Sequence, residues 1–164
     1  MPDKNYKVLF LCTHNSARSI LAESAMNRLG QGSFVGYSAG SQPSGRVHPY
    51  AIDLLRELGY EVEDLRSKTW DEFTEPDAPQ FDFIFTVCDA AADEVCPIWP
   101  GHPVSAHWGT PDPSRIEGAP AAQRRAFAET LQIMSDRIRK FIDLPFERLD
   151  QETLKEQLRE IGRS

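Results

Sequence analysis

Cysteine, histidine and long apolar runs are all scarce in this chain of 164 residues, which holds three cysteines and four histidines. Cys12, Cys88 and Cys96 are an odd number, and too few to staple a chain of this length as a disulfide framework. They fit reactive thiols in a reducing, cytoplasmic setting better. Cys88 and Cys96 also lack the close Cys/His spacing of a zinc site. Positive charge is in deficit, with 18 Lys and Arg against 25 Asp and Glu and a net charge of −7. That balance argues against nucleic acid or an anionic membrane as the main partner. No apolar stretch approaches the roughly 20 residues of a spanning helix. The opening Met1-Pro2-Asp3-Lys4-Asn5 runs almost directly into a strand, so neither a signal peptide nor a membrane span is expected. Repeats and low-complexity segments are absent as well.

What is present is the composition of a globular α/β domain, 40% hydrophobic and 26% charged. Apolar runs alternate with helical patterns. Strands are expected over Tyr6 to Leu11, Phe34 to Ser38, Tyr60 to Val62, Phe81 to Val87 and, weakly, His102 to Ala106. Helices are expected over Ser19 to Leu29, Tyr50 to Leu58 with Pro49 in the first turn, and Gln123 to Ile142. A short helix is expected within Ser67 to Phe73, and Cys88 to Val95 has helical character before an irregular Cys96-Pro97-Ile98-Trp99-Pro100-Gly101. Such alternation implies a parallel sheet covered on both faces, with ligands gathering at the carboxyl ends of its strands. The division expected is one domain over 1–146 and a helical tail over 147–164. In the tail, Leu154, Leu158 and Ile161 form a stripe, which packs on the domain or serves dimer contacts. A monomer or weak homodimer follows.

The chemistry centres on Cys12-Thr13-His14-Asn15-Ser16-Ala17-Arg18-Ser19, which follows a buried strand and opens a helix. Backbone N–H groups of a loop feeding a helix N-terminus make an anion seat. A cysteine at its base has its thiolate stabilised. Arg18 can grip two oxygens of a tetrahedral oxyanion in a planar fork. Ser19 is placed to donate to the sulfur, and Asn15 tolerates a left-handed turn. His14 serves either the thiolate and anion or only through its N–H. An inert buried cysteine is the plain alternative, and the strand–loop–helix placement favours the anion site.

Cys88 ends a strand parallel to the first and therefore emerges on the same sheet edge as Cys12. Cys96 lies eight residues further, about 12 Å along a regular helix, whereas a disulfide needs Cα atoms within roughly 4.4–6.8 Å. The pair can be a relay working through an unwinding segment, a core thiol beside an incidental surface thiol, or a poor metal site. Asp112, between Pro111 and Pro113, can present its carboxyl to the seat, where a bound oxyanion raises its pKa and lets it act as general acid for a leaving oxygen. The alternative is a turn aspartate bonding its own backbone. His48, His102 and His107, with Trp70, Trp99 and Trp108, read as structural.

Taken together, the Cys12–Ser19 loop and Asp112-Pro113 resemble the low-molecular-weight protein tyrosine phosphatase superfamily. Cys88, Cys96-Pro97-Ile98-Trp99-Pro100 and His107-Trp108-Gly109 resemble the arsenate reductases built on that fold. The resemblance implies a three-layer α/β fold with a central, mostly parallel four-stranded sheet flanked by helices. It implies arsenate held by the loop, Thr13 through Ser19, attack by Cys12 with Asp112 as acid, and a disulfide passed from Cys12–Cys88 to Cys88–Cys96. It implies no bound cofactor, and an external reductant, either thioredoxin or glutaredoxin with glutathione. Ala17 stands where many relatives carry another cysteine, and His14 where a glycine is frequent. Arg66-Ser67-Lys68-Thr69 occupies the neighbourhood of a potassium-binding aspartate, so no metal site is expected. A phosphatase cleaving phosphate monoesters through a phosphocysteine, and a thiol sensor of arsenite, are the rival functions.

Overall fold

The computed structural model describes residues 5–88 and 103–164. Four parallel strands form its sheet: β1 (Tyr6–Cys12), β2 (Phe34–Gly40), β3 (Phe83–Thr86) and β4 (Val104–His107), in the order β2-β1-β3-β4. β1 is central because it is the most completely apolar run: Val8, Leu9, Phe10 and Leu11 are all fully buried. A strand buried on both faces needs helices above and below. Four α-helices are described: α1 (Arg18–Leu29), α2 (Pro49–Glu57), α3 (Pro120–Ile142) and α4 (Gln151–Gly162).

Alternation along β1 divides the core. Val8 and Phe10 face the larger cluster, with Phe85, Trp108, Phe127 and Phe141. Leu9 and Leu11 face the smaller one, with Phe73, Phe81 and Ile84. Parallel register places Cys12 beside Gly40 on β2 and Leu11 beside Thr86 on β3. The carboxyl ends of three strands therefore converge where the Cys12 loop begins.

The expected strand over Tyr60 to Val62 does not form. Tyr60 instead lies under Arg28 of α1, 3.4 Å from guanidinium carbon to ring centroid, so this segment leaves the sheet for the helical layer. Between Ser67 and Phe73 the helix is a single 3-10 turn, Trp70–Phe73, capped by the Thr69 side chain. α3 starts at Pro120, three residues before the expected Gln123, because proline fits a first helical turn. The weak fifth stretch forms β4 over Val104–His107, starting two residues later and ending one later than expected. The expected helix beyond Cys88, the irregular stretch through Gly101, and His102 lie outside the described residues.

The tail forms α4 and packs through Leu154, Leu158 and Ile161. Trp108 Nε1 donates to the Leu158 carbonyl at 2.9 Å. α4 thereby lies beside β4, the sheet's edge strand, which would otherwise present unpaired groups. Among the described residues no helix is long and apolar enough to cross a membrane.

Candidate active site

Between β1 and α1 the backbone wraps around a small hollow, and three of its carbonyls are bonded to groups outside the loop. Thr13 O accepts from Gln42 N (2.9 Å), His14 O from Ser44 N (3.0 Å) and Ser67 Oγ (3.0 Å), and Ser16 O from His48 N (2.9 Å). In a trans peptide the N–H of the next residue points opposite to the carbonyl. The amides of His14, Asn15 and Ala17 therefore face inward. α1 adds its dipole: its N-cap, Ala17, makes no side-chain cap and its first turn carries no acid. That leaves the first-turn amides for an anion.

The loop's shape is held from beneath. Asn15 adopts a left-handed backbone, φ +49°, and is fully buried. Its Nδ2 donates to Ser19 Oγ at 2.7 Å, and its Oδ1 accepts from Lys68 N at 2.9 Å. Accepting from Asn15 leaves the Ser19 hydroxyl proton available for the expected donation. Lys68 Nζ, 8% exposed, donates to Ser38 O at 3.0 Å and lies 3.9 Å from Glu23. Ser38 Oγ in turn donates to the Glu23 carboxylate. Burial raises the Glu23 pKa against the pull of Lys68 and Ser38, and burial lowers that of Lys68 against the pull of Glu23. Each is driven toward its neutral form and held charged by the other.

Cys12 is 6% exposed at the end of β1 and Cys88 2% exposed just beyond β3. Both are free thiols. They hydrogen-bond each other, and that bond, followed by burial, holds the Cys12 thiol well above its ordinary pKa. The Arg18 charge and the Thr13 amide pull it down. Hydrogen-bonded thiols titrate as a unit. In the free site Cys12 is therefore shifted toward its protonated form, and the Arg18 charge is the main influence opposing that shift. Thr13 Oγ1 sits 3.7 Å from Cys88 Sγ, touching the second sulfur as well.

Above the thiols opens a cleft of about 590 Å³, lined by Thr13, His14, Arg18, Cys88, Gly109, Thr110, Pro111, Asp112 and Arg115. Arg18 Nη1 donates to Thr110 O at 3.0 Å, and Nη2 lies 3.5 Å from Asp112 Oδ2. Asp112 does two jobs with its two oxygens. Oδ1 accepts from Ser114 N (2.9 Å) and Ser114 Oγ (2.7 Å), capping a 3-10 turn, while Oδ2 faces Arg18 and Arg115. Burial raises its pKa, but the Ser114 bonds and the two arginines outweigh burial and hold the carboxyl below the usual range. The free site therefore holds Asp112 toward its ionised form, and the raised pKa expected beside a bound oxyanion concerns the loaded site. His14 is exposed on the rim with Nδ1 3.2 Å from Gln42 O. A carbonyl only accepts, so Nδ1 carries the proton.

Cys12, Thr13, His14, Asn15, Ser16, Ala17, Arg18, Ser19, Cys88 and Asp112 are thus gathered around one hollow. Cys96 lies outside the described residues. Glu23, Ser38, Lys68 and the Thr110 carbonyl are participants that no motif announces. Among the described residues no group of three or more His, Cys, Asp or Glu side chains is arranged to hold a metal.

The family model for low molecular weight phosphotyrosine protein phosphatases matches residues 7–159. An arsenate reductase of Bacillus licheniformis is 35% identical over 138 residues, covering 83% of this chain and 94% of the relative. One of Halalkalibacterium halodurans is 34% identical over 140 residues, covering 85% and 97%. Among solved structures, an arsenate reductase from Archaeoglobus fulgidus superposes with a TM-score of 0.60 at 30% identity, covering 80% of this chain and 98% of that one. The chain therefore belongs to the low molecular weight phosphotyrosine protein phosphatase family.

Proposed function

We propose that this protein reduces arsenate to arsenite through a relay of three thiols. Carrying the proposal is one observation: the nucleophile at the base of the anion seat is hydrogen-bonded to a second buried thiol, Cys88. Hydrolysis of a phosphocysteine has no use for that neighbour. The relatives' names point the same way.

The loop amides and Arg18 bind the oxyanion. Arg18 then turns part of its fork from Asp112 to the ligand, and the anion's charge lies beside the carboxylate. Both changes raise the Asp112 pKa and load it with a proton. Cys12 attacks arsenic, one arsenic–oxygen bond breaks, and Asp112 protonates the departing oxygen so that it leaves as water. Cys88, as thiolate, attacks the Cys12 sulfur. A Cys12–Cys88 disulfide forms, the sulfur–arsenic pair of electrons stays on arsenic, and As(V) becomes As(III), released as arsenite. Cys96 next attacks Cys88 and Cys12 leaves as thiolate, which transfers the disulfide to Cys88–Cys96. An external thiol reductant of the thioredoxin or glutaredoxin type returns the two electrons, which sets the reaction in a reducing compartment.

Arsenate-dependent NADPH consumption, coupled separately to thioredoxin and to glutathione with glutaredoxin, tests the relay. Loss of turnover in both Cys88→Ser and Cys96→Ser under thioredoxin is the expected result. Turnover surviving Cys96→Ser under glutathione shortens the relay to two thiols. Aryl phosphate hydrolysis indifferent to both substitutions, without arsenate turnover, makes the protein a phosphatase.

A further inference from the structure

The loop that carries Asp112 leaves the sheet at the end of β4, and a buried charge holds its root. Arg137, midway along α3, is 7% exposed. Its Nη1 donates to the carbonyls of Trp108 at 2.9 Å and Gly109 at 3.2 Å, and its Nη2 to that of Ser164 at 3.4 Å. Its Nε is buried and has no hydrogen-bond partner among the described residues. Burial lowers the Arg137 pKa. A guanidinium placed among carbonyl dipoles gives up hydration that a methionine of similar length would not have to surrender. In return Nη1 bridges two consecutive carbonyls while Nη2 reaches Ser164, so the planar fork ties the root to the segment after α4, which a flexible or apolar side chain does not do.

From that root the path to the cleft is short. Trp108 N donates to Thr86 O at 2.7 Å and Thr110 N to Val87 O at 3.2 Å, tying the root to the strand end that leads into Cys88. Thr110 O takes the Arg18 hydrogen bond, and Asp112 follows two residues later. On the other side Trp108 stacks on Phe85 with 3.8 Å between ring centroids and donates to Leu158 O. α4 approaches so closely that a Cβ on Gly162 would meet the His107 carbonyl and the Trp108 ring. Arg137 and α4 thus close on Trp108 from different elements, Arg137 reaching on to Gly109 and α4 to His107.

We propose that Arg137 is a positioning residue for Asp112. Its fork, with α4 packed alongside, fixes the Trp108–Gly109 root and through it the placement of the carboxyl over the anion seat, while touching neither oxyanion nor thiols. This rests on Asp112 being the acid, so the test contains a separate check on that assignment.

Single-turnover formation of the Cys12–Cys88 disulfide at saturating arsenate is measured for wild type, Arg137→Met, Asp112→Asn and the double variant, with thermal melting followed in parallel. Because small misplacements of a reacting group are costly, Arg137→Met is expected to slow the step by roughly ten-fold. Its apparent arsenate affinity should change less than about two-fold, since Arg18 and the loop amides are untouched. Asp112→Asn is expected to slow the step further, and adding Arg137→Met to it to do nothing more, because the group being positioned is gone. An equal slowing by Arg137→Met in both backgrounds would reveal a general structural effect and overturn the proposal. So would a wild-type rate in Arg137→Met. If Asp112→Asn itself runs at the wild-type rate, the acid assignment falls and this inference with it. Should Arg137→Met fail to fold, Arg137→Lys replaces it in the same cycle. It keeps the charge but loses the fork, and a folded lysine variant with wild-type rate overturns the proposal.

Discussion

Thr13 Oγ1 lies 3.7 Å from Cys88 Sγ, so the first residue of the anion loop touches the second thiol. When Cys88 must become a thiolate to attack Cys12, a hydroxyl donor at that position stabilises the charge, and a methyl group does not. Thr13→Val keeps the β-branched shape and removes the donor. Phosphate affinity, set by backbone amides and Arg18, should be preserved, while disulfide formation after arsenate binding slows several-fold. Calorimetric phosphate titration alongside rapid-quench thiol counting separates the two. An equal fall in affinity and rate would show that Thr13 serves the anion instead.

Cys88 also governs the ionisation of Cys12. The Cys88 hydrogen bond is the largest influence raising the Cys12 pKa, ahead of burial, while Arg18 opposes both. Cys88→Ala removes that influence and leaves Arg18 in place, so Cys12 should ionise at lower pH. In a Cys96→Ser background, the pH profile of Cys12 alkylation by iodoacetamide, read by mass spectrometry, should shift toward acid relative to the same background with Cys88 present. No shift, or an alkaline one, would mean that burial alone sets the Cys12 thiol.

How much of this was visible in the sequence depended on distance along the chain. Cys12, Arg18 and the amides between them are contiguous, so local pattern sufficed, and the parallel pairing of β1 with β3 brought Cys88 to Cys12. Tyr60 to Val62 misled because its apolar pattern serves a cation–π contact with Arg28 rather than a ladder. Asp112 lines the cleft beside Arg18, and its free-state charge depends on Ser114, Arg18 and Arg115 converging in space. Least legible was the support beneath the loop: Glu23, Ser38 and Lys68 come from a helix, a strand and a connection, each ordinary by itself. Arg137 reads as a polar position on an amphipathic helix until the Trp108 and Gly109 carbonyls are seen above it.

The Glu23–Lys68 pair makes a prediction about stability. Its side chains are 16% and 8% exposed, so removing one partner strands the other. Glu23→Gln should cost about 3 kcal/mol by leaving a buried ammonium without its carboxylate. Lys68→Met should behave differently, because Glu23, already driven upward by burial, can shed its charge by taking a proton. Its folded state then binds more protons than the unfolded chain above the ordinary carboxyl range, and stability falls as pH rises through that window. Urea unfolding should show Lys68→Met closer to wild type at pH 5 than at pH 8, with the double variant recovering much of the loss at both. A pH-independent penalty would mean that Glu23 stays charged without Lys68.

Gly40 is the last residue of β2 and stands opposite Cys12 in the register. Its amide donates to Lys68 O at 2.9 Å, and a Cβ built on it would run into the Thr13 carbonyl oxygen. Its φ is not in the left-handed region, so alanine is allowed by its own backbone and the obstacle is purely the neighbouring peptide. That peptide cannot yield quietly, because Thr13 O is bonded to Gln42 N and the same plane carries the inward-facing His14 amide. Gly40→Ala should therefore cost about 1–3 kcal/mol of stability through overpacking, and it should also weaken phosphate binding by tilting one amide of the seat. Loss of stability with unchanged phosphate affinity would show that the peptide moves as a rigid unit with the loop. Unchanged stability would show that β2 itself slides away.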